Sequence, residues 1–525
     1  MARTPLLRSL RRLVRDSRTS QTTGVRVRID ELRDMSRRRF LAGAAAGAGV
    51  LALPKFARAA KSQPTVVIVG GGIAGLTCAL GLRDHGFAST VYEASGRLGG
   101  RMFSNASYWD AGQVSEWCGE LIDTGHHTVR NLCSRYSLTL DDLHAAEPNG
   151  STETYYLGGR YYPYADAVAD FRDIADILAA DVKDAGYPTL YNSYTPEGQQ
   201  LDQLSIYDWI ETRVPGGHGS PLGQLLDVAY AIEYGADTRV QSSLNLVYLL
   251  GYQSNSNLAV FGKSDERFHI RGGNMRLPQA IAAELGSSVV TGHSLVRLVQ
   301  TAGGRYTCTF QRANGTVDVT ADHVVLALPF AVLAGIDTSR AGFDALKNTA
   351  IQQLGRGHNG KLQMQFNSRS WLNVQNSNGT SYSDTGYQNT WDVSRAQAGT
   401  PGILVLYSGG SVTDGMRTTS PFATVTDHDV AADAQRGLTQ LAPVYPGLSW
   451  NGKATQSLPH KSPYFNASYS YWKVGQYTQF AGYEGAPQGN VYFCGEHTSI
   501  DFQGYMEGGA STGTSVAQTL VGKLR

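Results

Sequence analysis

At 525 residues the chain exceeds what one hydrophobic core usually supports, so two domains of interleaved sequence are expected. Hydrophobic residues make up 42% and aromatics 10%, which excludes a largely disordered or fibrous protein and confines disorder to the start. The formal net charge is +1, but it is unevenly spread along the chain.

The first forty residues hold twelve arginines, no lysine and four acids (Asp16, Asp30, Glu31, Asp34). A nucleic-acid arm or a membrane anchor is one reading. The order of residues favours another: Ser36-Arg37-Arg38-Arg39-Phe40-Leu41 precedes a mild apolar run from Leu41 to Leu53, then Pro54 and the small-x-small site Ala57-Arg58-Ala59. Residues 1–59 thus resemble a twin-arginine export signal with a long leader, which implies the twin-arginine export machinery as a partner and a periplasmic or secreted destination. The apolar run is about 13 residues, too short to cross a bilayer, and nothing later is long enough, so no stable membrane span is expected. Removing residues 1–59 takes fourteen positive and four negative side chains from a chain of net charge +1, leaving −9. Nucleic acid is then not an expected partner. A mildly acidic surface is compatible with cationic amines.

Thr65 to Gly86 read TVVIVGGGIAGLTCALGLRDHG: a β-branched apolar run, three consecutive glycines, then Ile73, Leu76 and Leu80 at helical spacing. That is strand, tight turn, helix. Gly70, Gly72 and Gly75 supply G-x-G-x-x-G, with Ile73 and Ala74 inside it: one glycine for the bend, one for close approach to a pyrophosphate, one for helix-on-strand packing. Phosphate suits the positive helix N-terminus. Ser89 to Tyr92 read as a second strand, and Glu93, followed by Ala94, falls about 23 residues after Gly70, where a carboxylate takes ribose hydroxyls. Arg97-Leu98-Gly99-Gly100-Arg101 adds a second glycine turn with cations, which suits FAD better than a nicotinamide dinucleotide.

This segment resembles the flavin-dependent amine oxidase family, the group of monoamine oxidases, polyamine oxidases and L-amino-acid oxidases. The resemblance implies an α/β architecture: a Rossmann-type, GR2-like FAD-binding domain interleaved with an α+β substrate-binding domain. The FAD-binding part is expected over 64–135, 262–335 and 455–525, and the substrate-binding part over 136–261 and 336–454.

Five cysteines (Cys78, Cys118, Cys133, Cys308, Cys494) show no CxxC or metal-ligand spacing, so no metal is expected. Cys78 and Cys308 read as small core residues. A Cys118 to Cys133 disulfide is permitted by an oxidising destination.

Trp117 to Asp123 (WCGELID) matches loosely the family segment that passes the flavin ring, placing Gly119 and Glu120 beside the cofactor. Snake-venom-type amino-acid oxidases carry a carboxylate-clamping arginine just beyond it. Here the chain reads Asp123-Thr124-Gly125-His126-His127, and the two histidines read as solvated or hydrogen-bonded turn residues. Helical spacing marks Ala165 to Leu178 and Leu222 to Ile232. Tyr155, Tyr156, Tyr161, Tyr162 and Tyr164 form either an aromatic pocket or ordinary core.

Phe268 to Asn274 then Leu277-Pro278 (FHIRGGN…LP) returns to the family pattern, where a GGN turn opens a helix rejoining the FAD domain. Alternating, turn-punctuated runs at 287–290, 294–300, 305–312 and 315–320 read as a small antiparallel sheet. By resemblance the backbone near Val296 faces adenine. The strand 323–328, closed by Pro329, resembles the segment where the chain leaves the FAD domain again.

Lys361 in LGRGHNGKLQMQF begins an alternating strand with Leu362, Met364 and Phe366 on one face. It is either a solvated edge residue or, by resemblance to a family G-x-x-x-K, the lysine that holds a water against flavin N5. Residues 367–445 read as substrate-domain strands and loops.

Asn490 to Leu520 (NVYFCGEHTSIDFQGYMEGGASTGTSVAQTL) gives a buried strand, Gly495 and Glu496 at its end, then Gly504-Tyr505-Met506-Glu507-Gly508 opening a helix of small residues. That glycine-rich opening suits an electron-rich acceptor such as the flavin or its phosphates. Monoamine oxidases resemble it at Gly-Tyr-Met-Glu-Gly. Gly475-Gln476-Tyr477-Thr478 is placed where monoamine oxidases carry a flavin-bonding cysteine and a tyrosine, so the resemblance implies FAD held without a covalent bond and an aromatic cage of Tyr477 and Tyr505.

The expected activity is therefore FAD-dependent oxidation of the carbon beside an amine nitrogen, with a small-molecule amine or amino acid and oxygen as partners, Lys361, Tyr477 and Tyr505 at the reacting centre, and imine, then aldehyde or keto acid, ammonia and hydrogen peroxide as products. An L-amino-acid oxidase using Arg130, Arg267 or Arg356, a desaturase or dehydrogenase with another electron acceptor, and a non-catalytic FAD or NAD module are the alternatives. A homodimer stays open.

Overall fold

The computed structural model describes residues 64–253 and 258–525, so the export-signal reading of residues 1–59 lies outside them. β1 (Val66–Val69) is wholly β-branched and buried along its length, as a strand covered on both faces requires. It lies at the centre of a parallel five-stranded sheet with β2 (Thr90–Tyr92), β3 (Val289–Val290), β4 (His323–Leu326) and β5 (Val491–Phe493), in the order β5-β4-β1-β2-β3. From β1 the chain turns one way to β2 while β4 takes the other side, and ligands of such sheets bind beyond the strands' carboxyl ends at this reversal.

Two helices flank that crevice. The first, α1 (Ile73–Asp84), begins directly after the glycine turn, and the last, α2 (Met506–Leu524), packs against it. Small residues permit the approach: a Cβ added at Gly81 would sit 2.8 Å from Ala517 Cβ, and one at Gly509 would sit 2.9 Å from Ile73 Cγ2. Gly509, Gly513 and Ala517 of α2 therefore contact α1, and only its first turns reach the crevice.

A second sheet of eight strands is centred on Asn359–Phe366, which pairs antiparallel with Gly402–Gly409 and Trp450–Ser457. Leu362, Met364 and Phe366 face a core closed by the helix His428–Leu441. The polar face is buried as well: Gln363 Nε2 donates to Glu116 O at 2.8 Å and Gln365 Nε2 to Gln113 Oε1 at 2.9 Å. Lys361 on that face is thus not a solvated edge residue.

The helices expected around residues 165–178 and 222–232 extend over Tyr164–Ala185 and Pro221–Tyr234. Strands at Ser294–Gln300, Tyr306–Arg312 and Gly315–Ala321 are antiparallel to one another, with Asp337–Arg340 joining in parallel. The expected boundary at residue 455 falls inside the strand Trp450–Ser457, and the helix Gln476–Phe480 is tied to Asp202 on the other side of that boundary through Thr478 N, at 2.8 Å. The helix His428–Leu441 stands where strands and loops were expected; Val430, Ala434 and Leu441 supply its buried stripe.

Of the tyrosines between residues 155 and 164, Tyr155 and Tyr162 are core and Tyr156, Tyr161 and Tyr164 are half-buried; none lines the molecule's large cavity. Tyr155 lies 6.1 Å from Tyr162 and Tyr156 lies 5.2 Å from Tyr161, ring centre to ring centre. All five cysteines are free, so the permitted Cys118 to Cys133 disulfide is not formed. Among the described residues no helix is long and apolar enough to cross a membrane.

Candidate active site

The glycine turn after β1 is fixed by sterics. Gly70 has φ +110°, and a Cβ there would meet the carbonyl oxygen of Ala327 at 2.6 Å. Gly75 presses on Gly70 O, which seats α1 against the turn. The second turn docks on the first: Gly99 N donates to Gly71 O at 2.9 Å, and a Cβ at Gly100 would lie 3.2 Å from Gly72 Cα. α1 has no side-chain N-cap and no acid in its first turn, which leaves a positive helix end facing the groove.

Gly70, Gly72, Ile73, Ala74, Glu93, Gly99, Gly100, Arg101, Gly495, Glu496, Tyr505 and Met506 line one groove. Glu93 Oε2 accepts from Gly71 N at 2.7 Å and its Oε1 from Ser95 Oγ at 2.7 Å. Arg101 Nη1 donates to Glu496 Oε1 at 3.0 Å, and Glu496 Oε2 accepts from Ser470 Oγ at 2.7 Å and Gly504 N at 2.9 Å. Glu496 therefore ties three segments of the groove wall together. Burial alone would raise its pKa; Arg101 and these donors bring it below the ordinary carboxylate value.

Five of the residues expected at the cofactor do not line this groove: Gly75, Ala94, Gly119, Glu120 and Val296. Gly75 seats α1 on the turn, and Val296 lies in the inner strand Ser294–Gln300 of the four-stranded sheet, 39% exposed. Gly119 and Glu120 face a larger cavity instead. This cavity, of about 490 Å³, adjoins the groove, sharing Ser468, Gly504, Tyr505 and Met506 with it.

Lys361 projects into the cavity wall. Its Nζ donates to Glu120 Oε2 at 2.6 Å and to Cys118 O at 2.8 Å. Trp391 Nε1 donates to the other oxygen of Glu120 at 2.8 Å. Burial opposes ionisation of Glu120, but Lys361 and Trp391 outweigh it and hold the pKa below the usual carboxylate value.

Tyr505 stands at the start of α2. Its hydroxyl donates to Glu233 Oε1 at 3.1 Å and to Ser264 Oγ at 3.3 Å, and the buried His126 ring abuts it edge-on at 5.2 Å. His126 is hydrogen-bonded rather than solvated: its Nδ1 accepts from Asp123 N at 2.9 Å, and burial drives its pKa down to about 3, so the ring is neutral. Burial and Glu233 push the Tyr505 phenol well above its ordinary value.

The second cage residue is not Tyr477. That side chain lies in the helix Gln476–Phe480, 4% exposed, packed on Trp472 and Tyr248, with its hydroxyl donating to Asn245 Oδ1 at 3.0 Å. It does not line the cavity. Tyr469 does: a Cβ at Gly504 would lie 3.7 Å from its ring, and its hydroxyl pairs with Tyr407 at 3.0 Å. Ser468, not Gln476, therefore precedes the tyrosine that lines the cavity with Tyr505. The sequence signal lies in the alternating Ser468-Tyr469-Ser470-Tyr471-Trp472, whose first pair is eight residues before Gln476-Tyr477.

Six carboxylates line the cavity (Glu120, Glu147, Glu153, Glu233, Asp265, Glu266) against three cations, Lys263, Lys361 and Arg395. Arg395 is neutralised by Glu147 at 2.6 Å. Burial pushes Glu233 up to about 7 and Glu266 well above its usual value. None of Arg130, Arg267 and Arg356 lines the cavity; Arg267 is paired with Asp142 at 2.5 Å.

Residues 73–521 match the model of the flavin-containing amine oxidoreductases. The chain is 23% identical over 474 residues to a putative L-amino-acid oxidase, YobN, of Bacillus subtilis (strain 168), covering 87% of this chain and 95% of that protein. It is 24% identical over 484 residues to polyamine oxidase 4 of Oryza sativa subsp. japonica, covering 89% and 91%. The solved structure of cyclohexylamine oxidase from Brevibacterium oxydans IH-35A superposes with a TM-score of 0.73 at 19% identity, over 88% of this chain and 99% of that one. The chain belongs to the flavin-containing amine oxidoreductase family. It is an amine oxidase enzyme, and its cofactor is FAD.

The groove fits that cofactor on its own chemistry. Two glycine turns admit no side chain, the α1 terminus is uncapped, and both ring nitrogens of the buried His497 in its wall have no partner among the described residues.

Proposed function

We propose that the protein oxidises a primary or secondary amine bearing no α-carboxylate, at the carbon beside nitrogen, to an imine that water converts to an aldehyde and ammonia or a smaller amine. One observation carries this reading: the Tyr469 and Tyr505 rings stand at the groove end of a cavity whose lining carries more carboxylates than cations. With Glu120 and Glu147 paired to Lys361 and Arg395, and burial disfavouring the charged forms of Glu153 and Glu266, the pull on an ammonium ion comes mainly from Glu233 and Asp265, while the buried aromatic walls favour the neutral amine that the reaction requires. FAD, held by the groove residues, would supply a two-electron acceptor for the hydride equivalent, with oxygen as the final acceptor and hydrogen peroxide as its product. Lys361, held by Glu120, orients a water at the ring edge; Tyr469 and Tyr505 align the substrate nitrogen; Glu233 fixes the Tyr505 hydroxyl.

FAD is held without a covalent bond in this reading. No cysteine lines the groove, and Cys118 in the cavity wall is a thiol that burial pushes up to about 11. Acid precipitation should leave the yellow colour in the supernatant.

Oxidation of an L-amino acid is the second reading, favoured by Lys263, a cavity-lining cation next to Ser264, which accepts from Tyr505. The curated relatives carry names of both kinds. Anaerobic mixing with primary amines, diamines, polyamines and L-amino acids, followed by flavin absorbance, decides between them. Bleaching by amines supports the first reading, bleaching by amino acids alone the second, and no bleaching overturns both. Export by the twin-arginine route belongs to the same proposal, resting on Arg37, Arg38 and the apolar run to Leu53.

A further inference from the structure

Outside the cavity, three metal-ligating side chains from distant parts of the chain converge. His358 immediately precedes the strand Asn359–Phe366, Asp414 ends the short helix Ser411–Asp414, and His460 lies in the turn Pro459–Lys461. Each offers a ligand atom within 4.8 Å of the others. The two imidazoles are stacked, 4.4 Å between ring centres and 17° between planes, and His358 Nδ1 lies 2.7 Å from Asp414 Oδ1. Nδ1 of His460 is buried and has no hydrogen-bond partner among the described residues.

A stacked imidazole pair with an unsatisfied buried nitrogen is unfavourable as a purely structural arrangement, because a buried polar atom without a partner costs free energy. A metal ion removes that cost by taking a lone pair from each ring. We infer that His358, Asp414 and His460 form a binding site for a divalent transition-metal ion of the zinc class. Two imidazoles and one carboxylate suit zinc, nickel or copper and not magnesium or calcium, which take oxygen ligands. Asp414 is on the surface and His358 is 37% exposed at its side chain, so the fourth position opens to water.

The place of the site gives it a consequence. His358 stands three residues before Lys361, and its backbone is already fixed by His358 N to Gly235 O at 2.7 Å and Gly410 N to His358 O at 3.1 Å. Pro459, next to His460, and Asn359, next to His358, both line the cavity. The ion would clip together three segments that meet at the outer side of the cavity wall, stabilising the wall without entering the reaction.

Full-length holoenzyme, stripped with a chelator and dialysed, would be titrated with Zn²⁺ against a chromophoric competitor, with Mg²⁺ as control. The expected result is one zinc per chain, unaffected by a large excess of Mg²⁺, together with a rise in Tm. His358→Ala and His460→Gln should each weaken zinc binding by about tenfold or more and abolish the Tm rise, with FAD content unchanged. Asp414→Asn should fall between them and the parent. Absence of stoichiometric zinc binding, or retention of parental affinity by the folded His358→Ala/His460→Gln double variant, overturns the proposal.

Discussion

Lys361 Nζ and Glu120 Oε2 form a 2.6 Å ion pair in which both side chains are almost fully buried, with Trp391 bonded to the second carboxylate oxygen. Lys361 therefore cannot be removed without stranding a buried charge.

Lys361→Met should cut turnover severely while FAD stays bound, and should also lower stability by about 3–5 kcal/mol, the usual cost of breaking a buried pair from one side. The double variant Lys361→Met/Glu120→Gln should regain most of that stability and none of the turnover. Urea unfolding beside stopped-flow flavin reduction separates the two effects. Glu120 has a depressed pKa in the fold, so its contribution is complete above its ordinary value of 4.5 and is lost as pH falls through the lower folded value. Equal stability of parent and Lys361→Met at pH 7 would contradict the pair's importance.

The two tyrosine assignments make opposite forecasts. Tyr469→Phe and Tyr505→Trp should alter the ranking of amine substrates with little effect on folding. Tyr477→Phe should leave the ranking intact and cost about 1 kcal/mol through the lost hydrogen bond to Asn245. A substrate profile that follows Tyr477 and ignores Tyr469 would restore the earlier cage.

Glu233 gives a pH signature. Its pKa is raised by burial to about 7, so the carboxylate charges as pH rises through neutrality. A quaternary ammonium inhibitor, whose own charge is fixed, should bind more tightly above pH 7 than below it, by several-fold. Glu233→Gln should flatten that dependence. A flat profile in the parent would show that Glu233 does not face the ligand.

The glycine turn should be intolerant of a single methyl group. Gly70→Ala combines a left-handed φ with a contact to the Ala327 carbonyl, and Gly75→Ala drives a methyl into Gly70 O. Both proteins should be purified with less than a tenth of the parental flavin, read from the ratio of absorbance in the visible and ultraviolet. Full flavin occupancy in either would displace the groove from this turn.

For the leader, Arg37→Lys/Arg38→Lys should hold the precursor in the cytoplasm, where cell fractionation and immunoblotting find it uncleaved. Unchanged export would remove the twin-arginine reading.

Residues whose function is set by local backbone geometry were legible in the sequence. The turns at Gly70 and Gly99 and the opening of α2 at Tyr505 carry their constraint in adjacent glycines, and the structure brings them to one groove. Lys361 was legible only through the resemblance to the family's G-x-x-x-K, because its alternating strand by itself also allows a solvated edge residue. Tyr469 was missed because two aromatic, polar-flanked tyrosines compete within one stretch, and only tertiary packing tells a cavity wall from a core. Glu233, Trp391 and Arg395 come from segments without any motif, chosen by the eight-stranded sheet and its helices. Glu120 was read as a cofactor contact because its partner lies 241 residues away.

The parallel sheet has a consequence for biogenesis. β4 sits between a strand made early in translation and β5, which leaves the ribosome only within the last few dozen residues, followed by the helix that roofs α1. A nascent chain thus has no complete nucleotide pocket until Val491–Phe493 and the first turns of Met506–Leu524 have emerged. Loading of the prosthetic group must wait for these residues, and a chain that loses them lacks one wall of the pocket.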